Sequence, residues 1–146
     1  MTTSTKAIDK VLIYATWNGK LLVFREPENP DTPLQVPGGT VDEGEEIQSA
    51  AYREFHEETG IFKTSGMRHL ETLTYNYIEP FHIETHRRHC FHLPLSGKFP
   101  EEWHHYEMFP CDGNKPILFK LFWLPLLEAS ARIGLGMGKS ITKIGL

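Results

Sequence analysis

The chain has 146 residues and a formal charge of −4, enough for one domain with its own core and too short for two ordinary ones. At 40% hydrophobic and 23% charged it is composed like a water-soluble protein, with no apolar run near the roughly 20 residues of a membrane helix. The acidic balance argues against an extended nucleic-acid-binding surface.

The opening MTTSTKAIDK is polar and lacks the apolar core of a secretory signal, so a cytoplasmic location is the expectation. Cys90 and Cys111 have no C-x-x-C spacing. They read as buried or incidental thiols rather than a disulfide framework or a zinc site.

Residues 8–17 (IDKVLIYATW) are rich in β-branched and aromatic side chains and read as a buried strand. Asn18-Gly19 is a strong hairpin signal, and residues 20–25 (KLLVFR) read as the antiparallel partner. Three prolines make residues 26–33 a loop, and residues 34–36 form a short extended piece leading into Pro37-Gly38-Gly39.

The acidity is concentrated next. Asp42, Glu43, Glu45, Glu46, Glu54, Glu57 and Glu58 face a single base, Arg53, so the rest of the chain is net positive. Residues 45–59 contain no Gly or Pro and end at Gly60, which predicts a helix. At about 100° per residue, Ile47, Ala50 and Ala51 share one stripe, Glu54 and Glu58 continue it, and Glu57 lies on its flank. The face turned inward is therefore apolar in its first half and anionic in its second. Like charges three and four residues apart cost a helix roughly 0.2–0.5 kcal/mol per pair, and one guanidinium cannot neutralise them all. A hard divalent cation, Mg²⁺ or Mn²⁺, is the natural complement to clustered oxygens. A solvated acidic face is the alternative.

Residues 67–78 and 83–95 read as strands separated by Glu79-Pro80. In the second, alternation sends Arg87 and Arg88 to opposite faces, so that one of them can face a phosphate site. Arg25, Arg87 and Arg88 are candidate substrate contacts. Residues 99–113 (FPEEWHHYEMFPCDG) hold too many prolines and aromatics for a regular helix, and residues 115–126 read as a central strand buried on both faces. The tail begins helix-like (LEASAR) and turns glycine-rich (GLGMGKS). A phosphate-binding G-x-x-x-x-G-K-[ST] loop would need glycine where Ile133 stands, so the tail reads as a short helix with a loose end.

Gly39, Glu45, Arg53, Glu54, Phe55, Glu57, Glu58, Gly60 and Ile61 together resemble the signature of the Nudix hydrolase superfamily, G-x5-E-x7-R-E-U-x-E-E-x-G-U, where U is apolar. Only Phe55 is loose, an aliphatic residue being more usual there. The resemblance implies an α/β fold, an α/β/α sandwich around a mixed sheet, with residues 1–146 as one Nudix domain. It implies that Glu54, Glu57 and Glu58, often with the Gly38 carbonyl, hold Mg²⁺ or Mn²⁺, and that Arg53 orients box glutamates such as Glu45. Catalytic roles therefore fall on Arg53, Glu54, Glu57 and Glu58.

The implied reaction is water attack on phosphorus in a nucleoside diphosphate linked to another moiety. Family members often place a loop over the active site where residues 99–113 fall; there Glu101, Glu102, His104 and Glu107 are the side chains able to supply a base or a further ligand. Tyr77 resembles a tyrosine of members that hydrolyse dinucleoside polyphosphates, although core packing explains it equally. A nucleoside triphosphate, dinucleoside polyphosphate or nucleotide sugar all remain open as substrates, as does a homodimer. The alternatives are a non-catalytic nucleotide-sensing or partner-binding domain, and an acidic helix that binds metal without phosphoryl chemistry.

Overall fold

The computed structural model describes residues 4–108 and 115–145. A mixed sheet runs β4-β5-β1-β2-β7-β6, built from β1 (Ser4–Trp17), β2 (Lys20–Arg25), β4 (Arg68–Glu79), β5 (His82–Pro94), β6 (Glu102–Glu107) and β7 (Ile117–Pro125). A short β3 (Gly38–Thr40) pairs with β1 beside this path. β1 and β5 run parallel and the other pairs antiparallel.

Alternation along the strands makes two cores. Val11, Ile13, Ala15, Leu22, Phe24, Phe91, Leu93, Phe119 and Leu121 face helix α1 (Ile47–Thr59) and its Ala50, Ala51 and Phe55. Leu12, Tyr14, Leu21, Val23, Cys90 and Leu124 face the other way, onto Ala129 of helix α2 (Leu126–Arg132) and onto a terminal 3-10 helix (Met137–Lys143). The architecture is the expected α/β/α sandwich.

Local chemistry fixes the elements. Asn18 (φ 52°) and Gly19 (φ 74°) take the paired left-handed conformations of a two-residue hairpin turn. Helix α1 begins two residues later than the glycine-free run: Glu46 is its N-cap with an extended ψ of 139°, and Glu45 closes the turn before it, its amide donating to the Asp42 carbonyl and its carboxylate accepting from the Asp42 amide, both at 3.0 Å. It ends at Gly60, whose φ of 80° lets its N–H reach the His56 carbonyl. Phe55, the loose position of the motif, is fully buried.

β1 is the spine of the sheet. It pairs with β5 from Ser4 to Thr16, but with β2 only at Thr16 and Trp17. Below that point β1 and β2 part. The chain from Leu34 to Thr40 fills the gap, bonded to β2 through Phe24 and Gln35 and to β1 through Lys10, Val11 and Leu12. The paired glycines thus lie where the sheet splits.

Two expectations are corrected. Much of the stretch 99–113 is not a loop: β6 lies within it and pairs along its whole length with β7. The tail is not loose either, since Met137, Ser140, Ile141 and Ile144 are buried against the sheet and the Tyr14 hydroxyl donates to the Met137 carbonyl. Cys90 is a free, buried thiol, and burial raises its pKa, consistent with an inert thiol. Cys111 lies outside the described residues. Among the described residues, no helix is long and apolar enough to cross a membrane.

Candidate active site

The site is built on the second half of α1. Arg53 uses all five of its donors. Its Nε and Nη2 hold Glu45 at 2.8 and 2.9 Å, Nη1 reaches Glu54 at 2.9 Å and Glu57 at 3.2 Å, and Nη2 also donates to the Thr40 carbonyl at 3.1 Å. One guanidinium therefore ties α1 to β3 and to the loop between them. These carboxylates raise the Arg53 pKa further, and the same contact lowers that of Glu45.

Glu54 and Glu58 are both buried, at 6% exposure each, and lean on the two glycines. A Cβ on Gly39 would lie 2.2 Å from the Glu54 carboxyl, and one on Gly38 would lie 2.3 Å from the Val11 carbonyl. At Gly38 the obstacle is backbone, so no other residue type fits, whereas at Gly39 a side chain would have to push the Glu54 carboxyl aside. The Gly38 N–H donates to Glu58 at 2.7 Å. Desolvation pushes the Glu54 carboxyl up to about 7, against the opposing pull of Arg53 and with the support of Glu57 and Glu107.

β6 completes the group. Its inward residues alternate: the Trp103 indole donates to the Thr59 carbonyl and the His105 ring to the Glu57 carbonyl, both at 2.9 Å. They satisfy carbonyls that the end of α1 leaves unpaired. The next inward residue is Glu107, and one oxygen from each of Glu54, Glu58 and Glu107 lies within 4.8 Å of the others. Three converging carboxylates, two of them buried, form a donor set suited to a hard divalent cation.

Of the residues the sequence singled out, Arg53, Glu54, Glu58, Gly38 and Glu107 come together here. Glu57 turns to Arg53 and stands outside that trio. Glu102 is exposed and pairs with Lys120, while Glu101 and His104 are exposed; β6 directs Glu102 and His104 to the face opposite Glu107. Arg25 sits at the exposed end of β2 and does not line the cleft. Arg87 is bound to Asp9 on the α1 face, where it and His89 lower the Asp9 pKa.

Arg88 does reach the site. A cleft of about 210 Å³ runs from Gly38, Gly39 and Glu58 through the split in the sheet to Lys10, His86, Arg88 and Met137. Sequence reasoning missed Lys10, His86 and Met137. The register of β1 against β5, which places Lys10 beside Arg88, was the absent information.

The family model for the NUDIX domain matches residues 7–142. Among solved structures, the MutT protein of Bacillus halodurans is similar with a TM-score of 0.66 and 17% identity over 92% of this chain and 80% of that one. The Ap4A hydrolase of C. elegans gives 0.55 and 20% over 96% of both chains. The NUDIX domain of Shewanella oneidensis NrtR, solved with ADP ribose, gives 0.62 and 15% over 97% and 86%. No curated protein matches at a significant level. At these identities the structures report the shared fold, and it is the domain match together with the unbroken motif from Gly39 to Ile61 that carries the assignment: the chain belongs to the Nudix hydrolase superfamily.

Proposed function

We propose that the protein is a Mg²⁺-dependent pyrophosphohydrolase that cleaves a nucleoside diphosphate linked to another moiety by water attack on phosphorus, Mn²⁺ serving in place of Mg²⁺. The observation that carries this reading is the convergence of Glu54, Glu58 and Glu107 within 4.8 Å, with Glu58 also lining a cleft that holds Lys10 and Arg88. The names of the similar proteins, an Ap4A hydrolase and an ADP-ribose-bound domain among them, agree with a nucleoside diphosphate derivative.

Glu54, Glu58 and Glu107, with the neighbouring Gly38 carbonyl, are the groups that would hold the cation. When bound, it supplies charge neutralisation at the bridging phosphates and an acidified water. The chain's own contribution is positional. Arg53 fixes Glu54 from one side and Gly39 leaves its carboxyl room on the other, while the Gly38 amide fixes Glu58. Glu57 acts through Arg53, sharing its Nη1 with Glu54. Of the four side chains eligible as a base or further ligand, Glu107 is the one within reach of the reacting centre.

The test is incubation with a panel of nucleoside triphosphates, dinucleoside polyphosphates and nucleotide sugars, with Mg²⁺ or with chelator. Release of a nucleoside monophosphate that stops on chelation is the expected result, and Glu58→Gln should lower kcat by about a hundredfold or more. Turnover that survives chelation refutes the metal assignment, and absence of turnover across the panel refutes the hydrolase reading.

A further inference from the structure

We infer that Lys10 and Arg88 form an anion subsite for a phosphate beyond the pyrophosphate held at the carboxylates, so that the preferred substrates are nucleotides with three or more linked phosphates. This rests on the proposed reaction only in placing the pyrophosphate at Glu58; the subsite itself is argued from charge and register.

Lys10 and Arg88 are register partners on parallel neighbours β1 and β5, so their side chains leave the same face side by side. Like charges directly opposite one another on adjacent strands are destabilising. A surface pair relieves this by spreading into water or recruiting an acid. Here no acid is recruited: both line the cleft, half-buried, and among the described residues neither forms a salt bridge.

The two cations are held instead by neutral groups. The Lys10 ammonium donates to the Thr40 hydroxyl at 2.6 Å. The Arg88 guanidinium lies 4.7 Å from the centre of the Tyr75 ring and donates to the Leu135 carbonyl. Leu135 has a φ of 58°, a left-handed conformation that a leucine adopts only under constraint, and it presents its carbonyl to Arg88. Glu84, the acid on this face of β5, is taken by His82 and His86. Polar fixation without charge compensation preorganises two cations for an incoming dianion. In a chain of net charge −4 they are also what draws a polyanion to an otherwise acidic site.

The distinguishing experiment needs no turnover. Binding of inorganic tripolyphosphate to the full chain in chelator is followed by calorimetry for wild type, Lys10→Met, Arg88→Met and Glu58→Gln, each first checked for an unaltered circular dichroism spectrum; Lys10→Arg serves as the conservative control. Saturable wild-type binding should weaken about tenfold or more in each methionine variant, the size of one lost charge-assisted hydrogen bond. It should persist in Lys10→Arg and in Glu58→Gln. No saturable binding by wild type, or wild-type affinity in both methionine variants, overturns the subsite. With Mg²⁺, the same methionine variants should raise KM for a nucleoside triphosphate and leave KM for ADP-ribose within about twofold; an equal rise for both overturns the proposed selectivity. A protein that binds tripolyphosphate through Lys10 and Arg88 yet hydrolyses no nucleotide would retain the subsite and lose the hydrolase reading.

Discussion

Glu54 offers the sharpest quantitative test, because its burial is a cost that the metal-free protein must carry. Its folded pKa of about 7 stands above the ordinary 4.5, so the folded state holds the proton more tightly than the unfolded one. Stability from this group is then fully present below pH 4.5 and is lost as pH rises through 7. At about 1.4 kcal/mol per unit the loss is on the order of 3 kcal/mol above pH 7. Glu54→Gln keeps an oxygen to accept from Arg53 and cannot ionise. In chelator the variant should match wild type near pH 4 and exceed it at pH 8 by up to about 3 kcal/mol, roughly 10 °C in Tm for a chain of this size. The assay is a pH series of thermal melts, with Mg²⁺ added in a parallel series. Mg²⁺ should raise the wild-type Tm at pH 8 and do little for the variant. A Tm difference that does not change with pH, or a variant less stable than wild type at pH 8, refutes the account of Glu54 as a buried charge awaiting a cation.

Arg53→Ala removes five hydrogen bonds and strands Glu45, Glu54 and Glu57. Discounted for its 29% exposure, the loss should be about 2–4 kcal/mol in urea titration with activity falling in parallel; a change in only one of the two would separate its structural and positioning roles. Gly39→Ala would set a methyl 2.2 Å from the Glu54 carboxyl, so calorimetry should find Mn²⁺ affinity reduced by about tenfold or more. Wild-type affinity there would remove Glu54 from the ligand set. Ser140 is buried and donates to Glu71 at 2.6 Å; Ser140→Ala should cost about 1–3 kcal/mol, and an unshifted urea midpoint would show that the tail is not pinned through this bond.

The motif helix was legible because its signals agree: a glycine-free run, a 3.6-residue stripe that changes from apolar to anionic, and a glycine stop. The hairpin at Asn18-Gly19 and the buried strands around it were legible for similar reasons. β6 was not, because its inward set is Trp103, His105 and Glu107 rather than aliphatic residues, so alternation carried no hydrophobic signal. With it went the orientation of Glu107, which sequence reasoning placed on a loop beside Glu101, Glu102 and His104. The tail misled through its glycines, although Met137, Ser140, Ile141 and Ile144 follow the 0, 3, 4, 7 spacing of a helical face. The Lys10–Arg88 pairing depends on strand register between segments far apart in the chain, which no local pattern encodes.

β1 pairs with β3 and with β5, so one strand joins the glycines that lie beside the carboxylates to the wall that carries Arg88. On the proposed reading, substitutions along β5 and the tail would redraw which leaving groups are admitted while the carboxylates stay in place. A fold divided in this way can diversify its substrates without reinventing its chemistry.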